Sequence, residues 1–362
     1  MLVGTLVYYL TLLFWRRRTL VFLDIACVNQ VDEYAKSEAL VSMGAFLKHS
    51  KTLVVLWDAT FVKRLWCVFE MAGFLQSRGP DASRGLEVCP VFAGPALLSG
   101  TFGLCVMLLI FSSSQAVIVP WEFWGGLALC ALTFPCLTCL AYVVLIHCRS
   151  IDVVQQQVRC FTIGNASSYC CASNHIDPST GERMVCDRLI IERCIAAWFG
   201  SPEQFEETVR GKLLAHLVYQ LANCTFPYWR VVQATSPALW FKLELYNPAF
   251  VVLFILETIV YWLLLLPSVA LVMFRLIYCA RNLCQSTFTQ VLLSTGLVAV
   301  AALLFGAFFF AETMLLPQLI GDKHTSNWIL LATMSMVTIA LWRCMPPIHQ
   351  SDSPQAAGQE SP

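Results

Sequence analysis

Long apolar runs alternate with amphipathic stretches along this chain. Five runs hold few charged residues and approach or exceed the roughly 20 residues that a helix needs to cross the hydrocarbon core of a bilayer. They are residues 100–119, 124–147, 248–274, 287–316 and 327–342, of which the last is short. Trp121, Trp124, Trp328 and Trp342 lie at the ends of these runs, where indole rings suit the headgroup layer. The pattern predicts an α-helical multi-pass membrane protein.

A sixth apolar run, residues 1–15, stops at three consecutive arginines, Arg16, Arg17 and Arg18. It has neither a basic start nor a small-residue cleavage site, so it does not resemble a signal peptide. Basic residues after the run favour an N-terminal membrane anchor whose carboxyl end is cytosolic. The short run also leaves open that the natural chain begins further upstream.

The remaining segments give a domain order. After the anchor at 1–15 we expect an α/β unit at 16–99, a transmembrane hairpin at 100–147, a helical soluble region at 148–247, three transmembrane helices at 248–345, and a tail at 346–362. The tail is rich in Pro, Ser, Gln and Gly, which predicts disorder. Because a two-span hairpin separates the two soluble stretches, both should face the same side. Arg149 and the three early arginines favour the cytosol.

The 16–99 stretch alternates between strand and helix patterns. Residues 19–24 form an apolar run that ends in Asp24, and residues 52–57 form a second strand pattern before Asp58. Helix patterns cover 32–50 and 64–77, and a last strand pattern covers 86–92. This alternation predicts a parallel, flavodoxin-like sheet with helices on its faces. Functional groups in such sheets gather at the carboxyl ends of the strands, which makes Asp24 and Asp58 candidates.

The second helix of this stretch begins with Trp66-Cys67-Val68-Phe69-Glu70, a W-C-x-x-E motif. The order of an acid-ended strand, an amphipathic helix, a strand, this motif and a strand ending in Pro-Val-Phe resembles a Toll/interleukin-1 receptor (TIR) domain of the plant and protist type. The resemblance covers about a quarter of the chain and is partial, since the family's first strand and phosphate-contacting loop have no counterpart before Val21. The whole chain is also similar to multi-pass proteins predicted in unicellular algae.

The resemblance implies self-association, and in TIR domains that cleave NAD it implies that Glu70 is catalytic. A carboxylate there would hold the ribose hydroxyls and stabilise an oxocarbenium-like centre as nicotinamide leaves, as acids do in glycoside hydrolysis. Trp66 would then line the pocket or be structural. The alternative is that Trp66 and Cys67 are core residues and that Glu70 is a solvated or binding-only acid. Asp24, Asp58, Trp66 and Cys67 are the candidate binding residues.

Composition agrees with a membrane protein and adds little chemistry. The chain is 58% hydrophobic and 13% charged, whereas soluble proteins average about 45–50% apolar and about 25% charged residues. Its zero net charge gives no field that would attract nucleic acid. The 17 cysteines are scattered, which indicates reduced thiols in the cytosol rather than disulfides. Cys170, Cys171, His175 and Cys186 invite a zinc interpretation, but they lack a C-x2-C pair, so we expect unlinked thiols and no metal.

The 148–247 stretch predicts a helical hairpin, whose second helix starts at the N-cap Ser201 with Pro202 and Gln204 behind it. Glu257 falls inside the run 248–274 and is an intramembrane functional candidate, unless the span begins after it and leaves it among headgroups. We therefore expect a membrane-embedded signalling or scaffold protein that presents a TIR-like interaction module to the cytosol. Its expected partners are the lipid bilayer, further copies and other TIR-like proteins. The alternatives are an NAD glycohydrolase using Glu70, in which case NAD is bound, or a channel or transporter; otherwise we expect no cofactor.

Overall fold

A computed structural model describes residues 2–15, 19–29, 32–78, 85–115, 121–176, 178, 181–244, 248–345 and 347–348. Within them the strands are β1 (Leu53–Trp57) and β2 (Leu86–Pro90). The helices are α1 Leu2–Phe14, α2 Asp24–Cys27, α3 Glu33–His49, α4 Leu65–Arg78, α5 Ala93–Gln115, α6 Trp121–Arg159, α7 Tyr169–Ala172, α8 Asp187–Phe199, α9 Pro202–Thr208, α10 Leu214–Tyr219, α11 Tyr228–Ala234, α12 Pro237–Glu244, α13 Val251–Thr258, α14 Leu266–Ala280, α15 Thr287–Phe310, α16 Leu316–Ile320 and α17 Lys323–Ile339.

Short segments of other helix types join several of these elements. Segments of 3-10 helix lie at Phe61–Lys63, Ile163–Asn165 and Pro248–Phe250. Segments of π-helix lie at Val209–Leu213, Gln220–Cys224, Ile259–Leu265, Ala311–Leu315 and Ala340–Cys344. The π-helical segments continue neighbouring α-helices without a break, so the long apolar rods of the sequence remain helical throughout.

Five helical stretches are long and apolar enough to cross a membrane. They are Ala93–Ile110, Phe134–Arg159, Pro248–Ala280, Thr287–Ile320 and His324–Cys344. Each overlaps one of the five predicted runs, and the last, which the sequence pattern made short, extends to 21 residues. The N-terminal run forms the apolar helix α1, of 13 residues. Of the predicted disordered tail, all but Pro347 and Ile348 lies outside the described residues.

The chain divides into two compact units. The first, here called the span unit, consists of Met1–Arg16, Phe92–Arg149 and Phe226–Pro347. The second, here called the α/β unit, consists of Arg17–Val91, Ser150–Thr225 and Ile348–Pro362. The α/β unit therefore combines most of the two predicted soluble stretches, which are separated in sequence by the first two apolar runs.

The sheet of the α/β unit is a parallel pair. Strand β1 pairs with β2 from Leu53 opposite Leu86 to Trp57 opposite Pro90. Helix α4 lies between the two strands in sequence and buries Phe69 and Phe74 almost completely. The predicted strand–helix–strand order over 52–92 is confirmed, because a parallel pair needs a crossover and α4 supplies it.

The prediction of a strand at residues 19–24 is wrong. Residues 19–23 are irregular, and α2 begins at Asp24. Most of the apolar side chains of this segment are exposed, Leu20 completely, so they form no layer against the sheet. Phe22 instead stacks on Phe46 of α3, with ring centroids 4.4 Å apart. Among the described residues the sheet consequently has the two strands β1 and β2 alone.

Helix α8 packs closely on α3 and α4 within the α/β unit. The Trp198 ring stacks on Phe69, with centroids 4.8 Å apart. Two glycines make this approach feasible: a Cβ at Gly44 would overlap the Trp198 ring, and a Cβ at Gly73 would lie 3.1 Å from it. The Trp198 indole thus packs α8 against both α3 and α4.

The second helix of the predicted hairpin begins as the sequence indicates. The Ser201 hydroxyl accepts a hydrogen bond from the Gln204 N–H at 3.2 Å, and Pro202 is the first residue of α9. The helical rod then continues through α10 to Cys224. Its apolar face is buried over Phe205, Val209, Leu213, Leu217 and Leu221. His216, on the same rod, donates from Nε2 to the Leu86 carbonyl oxygen at 2.9 Å and so packs beside β2.

Candidate functional site

The turn after β1 is fixed by Asp58. Its carboxylate accepts hydrogen bonds from the N–H and the hydroxyl of Thr60, at 2.6 and 2.5 Å. Arg64 Nη2 lies 3.3 Å from the other carboxylate oxygen, in an ion pair that is about half exposed. The hydrogen bond from the Thr60 hydroxyl leads the contacts that hold the pKa of Asp58 below its usual range. Asp58 is therefore an anion that shapes the entry to α4.

Glu70 lies one helical turn after Trp66, so both side chains share a face of α4. A side-chain hydrogen bond from Trp66 reaches the Glu70 carboxylate. Glu70 is partly buried, and this burial raises its pKa to about 7. The negative charge of Asp24 contributes to this rise, while the Trp66 hydrogen bond opposes both effects. At neutral pH this carboxyl group is divided between its acid and carboxylate forms.

Cys67 lies beside the acids but is not an activated thiol. Burial raises its pKa to about 11, and Arg64 only partly opposes that effect. The charges of Glu70, Asp24 and Asp58 act on Cys67 in the same direction as burial. A thiol in this state stays protonated at neutral pH and is a poor nucleophile.

The structure brings the predicted site residues together. Asp24, Asp58, Trp66, Cys67 and Glu70 belong to one electrostatic neighbourhood in the α/β unit, at the carboxyl end of β1 and the start of α4. Asp24 reaches it from the first residue of the short helix α2 rather than from a strand end. A carboxyl group with a pKa near 7 can donate or accept a proton at physiological pH, which suits general acid–base chemistry as well as ligand binding.

Glu257 belongs to a separate polar cluster in the span unit. It lies inside the apolar stretch Pro248–Ala280, and its carboxylate is 3.0 Å from the Lys242 ammonium group. That ammonium group also lies 4.9 Å from the centre of the Tyr261 ring. The Tyr261 hydroxyl donates a hydrogen bond to Glu312.

Sequence reasoning missed three members of this cluster, namely Lys242, Tyr261 and Glu312. One signal was present: Tyr261 follows Glu257 by four residues, which places both on one helix face. Glu312 also falls within the predicted run 287–316. Nothing in the sequence linked Lys242, from a different helix, to Glu257.

Cys170, Cys171, His175 and Cys186 also come together in the α/β unit. One ligand atom from each lies within 4.8 Å of the other three. Their sequence spacing had favoured unlinked loop thiols. Cys186, at the start of α8, approaches the pair in α7 through the fold rather than through a local knuckle.

The chain was compared with known proteins at the level of families, curated sequences and solved structures. No family model, curated protein or solved structure matches it.

Proposed function

We propose that this chain is an integral membrane protein whose α/β unit is a cytosolic interaction module, acting in signalling or scaffolding by association with a second copy of itself. An uncovered apolar surface on the module supports the proposal. The β1 side chains Val54 and Leu56 are 54% and 66% exposed, although they lie within the strand and share one face of the sheet. Surfaces of this kind in soluble regions commonly mark protein contacts.

The edge of the sheet adds to this argument. Beside β2 lie His216 and the π-helical segment at Gln220–Cys224. Strand β1 pairs with β2 and with no other strand of the described chain. An open strand edge next to exposed apolar side chains is a template for pairing with another chain. The TIR resemblance favours a second copy as that chain, since TIR domains commonly associate with each other.

The proposal is tested by the mass of the full-length protein in detergent. We expect wild type to form oligomers whose population grows with protein concentration, and Val54→Glu/Leu56→Glu to remain monomeric, since two carboxylates would have to be buried in the contact. Leu189→Glu is the matched control, because Leu189 is 57% exposed on α8 of the same unit. A wild type that stays monomeric at all concentrations, or a control that dissociates equally, contradicts the proposal.

NAD glycohydrolysis is the second candidate function, and the partly buried position of Glu70 in the first turns of α4, close to the carboxyl end of β1, favours it. Stabilising an oxocarbenium-like centre needs the carboxylate form, so NAD cleavage should increase as pH rises through about 7. The assay compares detergent-solubilised wild type with Glu70→Gln. Cleavage that is lost in the variant supports an enzyme, and absence of cleavage in a folded wild type excludes this candidate. Glu207→Gln is the control, since Glu207 is an exposed acid of the same unit outside the candidate site.

A channel or transporter is the third candidate, and the Glu257 cluster favours it. Four polar side chains inside or beside apolar helices would be expected along a hydrophilic path. Flux into liposomes that falls in Glu257→Gln and in Glu312→Gln would support this function. Equal, background flux in wild type and variants would oppose it.

A further inference from the structure

Three sulfur atoms in the α/β unit form a nearly equilateral triangle. Cys170 and Cys171 lie in the short helix α7, and Cys186 is the residue before α8. The Sγ–Sγ distances are 3.8 Å between Cys170 and Cys171, 3.9 Å between Cys170 and Cys186, and 3.9 Å between Cys171 and Cys186. A disulfide brings two sulfurs to about 2.05 Å, so none of the three pairs is bonded.

These separations are those of thiolates around one metal ion. Zinc binds cysteine sulfur at about 2.3 Å in a tetrahedron, whose edge is therefore about 3.8 Å. The fourth corner is available to His175, whose ligand nitrogen lies within 4.8 Å of the sulfurs.

The backbone around His175 is folded to bring its ring to the sulfurs. Asn174 and His175 both adopt positive φ angles, of 53° and 57°, in the left-handed region, which is uncommon for residues other than glycine and which Asn and His enter more readily than most. The turn is closed by the His175 N–H, which donates to the Cys170 carbonyl at 2.8 Å. The Met184 N–H donates to the His175 carbonyl at 2.9 Å, which joins the segment leading to Cys186.

Hydrogen bonds also support the sulfur of Cys170. The Ser168 hydroxyl lies 3.2 Å from Cys170 Sγ. The backbone N–H of Arg188, in the first turn of α8, donates to the same sulfur. Donors of this kind stabilise a metal-bound thiolate and fix its direction, and partners that orient ligands in this way are regular features of metal sites.

We propose that Cys170, Cys171, His175 and Cys186 bind a structural Zn²⁺ ion. The three thiols lose their protons to the solvent as three Zn–S bonds form, and the imidazole binds as the neutral base through one ring nitrogen. Four protein ligands close the coordination sphere, so the ion has no open position for a substrate and its role is structural. It fastens α7 to the start of α8, the helix whose Trp198 packs on α3 and α4.

Zinc content of the purified full-length protein in detergent tests the proposal. By mass spectrometry of the metal we expect about one Zn²⁺ per chain in wild type, as four ligands define one site. Cys170→Ser and Cys186→Ser should lose it. Cys160→Ser is the matched control, because Cys160 is an exposed cysteine of the same unit outside the cluster, and it should retain the ion.

Variants at His175 keep the test decisive if a cysteine variant fails to fold. The His175 side chain is exposed, so its removal disturbs little packing. His175→Ala should release zinc to a chelator faster than wild type, and His175→Cys should retain it as a four-cysteine site. Replacing zinc by Co²⁺ should produce thiolate charge-transfer absorption in wild type.

Two results would overturn the proposal. The first is a folded wild type that contains no zinc after expression with added zinc and shows no Co²⁺ charge-transfer absorption. The second is an equal loss of zinc from Cys160→Ser and the cluster variants, which would mean that the ion binds cysteines unselectively.

Discussion

The two compact units each hold a partly buried glutamate, and they compensate its charge in opposite ways. Glu257, in the span unit, is 3.0 Å from the ammonium group of Lys242, and about a fifth of each side chain is exposed. Glu70, in the α/β unit, has Asp24 as the charged neighbour that most affects its pKa, and that neighbour is another acid. One carboxylate is neutralised by a cation, and the other is neutralised in part by taking up a proton.

This difference indicates a structural role for Glu257, whereas Glu70 can take up or release a proton near neutral pH. When an ion pair in a mainly apolar surrounding loses one partner, the remaining charge has no partner, and this is strongly destabilising. When burial and a like charge raise the pKa of an acid, its ionised form is destabilised in the folded protein. Such groups are concentrated at functional sites. Glu70 is therefore the stronger functional candidate of the two. For Glu257 we expect first a structural role, which is to hold α12 against α13.

Removing the ammonium group of Lys242 from the span unit should have the largest effect on stability. Lys242→Met leaves the Glu257 carboxylate without its ammonium partner, and breaking a buried pair in this way costs roughly 3–5 kcal/mol. We expect a clear fall in the Tm of the detergent-solubilised protein. Lys242→Met/Glu257→Gln should recover most of the loss, because neither position is left with a charge that has lost its partner. A double variant as unstable as the single variant would show that Lys242 acts through packing of its aliphatic stem.

Glu70→Gln should change the pH dependence of stability. The folded-state pKa of about 7 lies above the usual 4.5, so between these values the folded protein holds a proton that the unfolded chain has released. The contribution of Glu70 to the stability of wild type therefore falls as pH rises from 4.5 to about 7 and is constant above that range. The full difference corresponds to at most about 3 kcal/mol.

The measurement is the Tm of both proteins between pH 4.5 and pH 8.5. Glu70→Gln carries no titrating group at this position, so its Tm should exceed that of wild type at pH 8.5 and approach it at pH 4.5. Parallel curves over the whole range would mean that Glu70 is solvated in the folded protein and that the contrast with Glu257 does not exist.

Much of the fold follows from local pattern. The apolar runs are long and almost free of charge, so their positions as helices could be predicted. The capping residues around Ser201 fixed the start of α9, and β-formers fixed β1 and β2. The strand at residues 19–24 failed because apolar character alone does not supply a strand partner, and these residues find none in the described chain. The assembly of residues 17–91 and 150–225 into one unit depends on contacts of long sequence separation.

The candidate site likewise has features that the sequence predicts and features that depend on the folded structure. Asp58 follows a strand and Glu70 follows Trp66 by one helical turn, so their grouping could be read from spacing. The raised pKa of Glu70 could not, because it depends on burial and on Asp24, which is distant in sequence. Sequence spacing likewise could not show that the sulfur atoms of Cys170 and Cys186 lie 3.9 Å apart, because they meet only after α7 and α8 have packed.

Asp24→Asn should weaken the like-charge effect on Glu70. It removes a negative charge while keeping an oxygen that can accept the Ile25 N–H, now 2.7 Å from the Asp24 carboxylate. The pKa of Glu70 should fall towards its usual value, since Asp24 is the second cause of the shift after burial. The measurement is the Tm difference between Asp24→Asn and Asp24→Asn/Glu70→Gln as a function of pH. The midpoint of this curve should lie at lower pH than the midpoint of the corresponding curve for wild type and Glu70→Gln. A midpoint that does not move would place Asp24 too far from Glu70 to act on it.

Trp66→Phe should have the smallest effect and the opposite sign. Its hydrogen bond to Glu70 opposes burial and Asp24, and it is the weakest of the three causes. Phenylalanine retains an aromatic ring that can pack against Phe69, whose centroid is 6.2 Å from that of Trp66, but it cannot donate a hydrogen bond. The pKa of Glu70 should therefore rise further, and the midpoint from the same pair of Tm curves, Trp66→Phe against Trp66→Phe/Glu70→Gln, should move to higher pH. Opposite movements in Asp24→Asn and Trp66→Phe would establish that Glu70 is tuned by its neighbours rather than by burial alone, whereas movement in the same direction would trace both effects to loosened packing around α4.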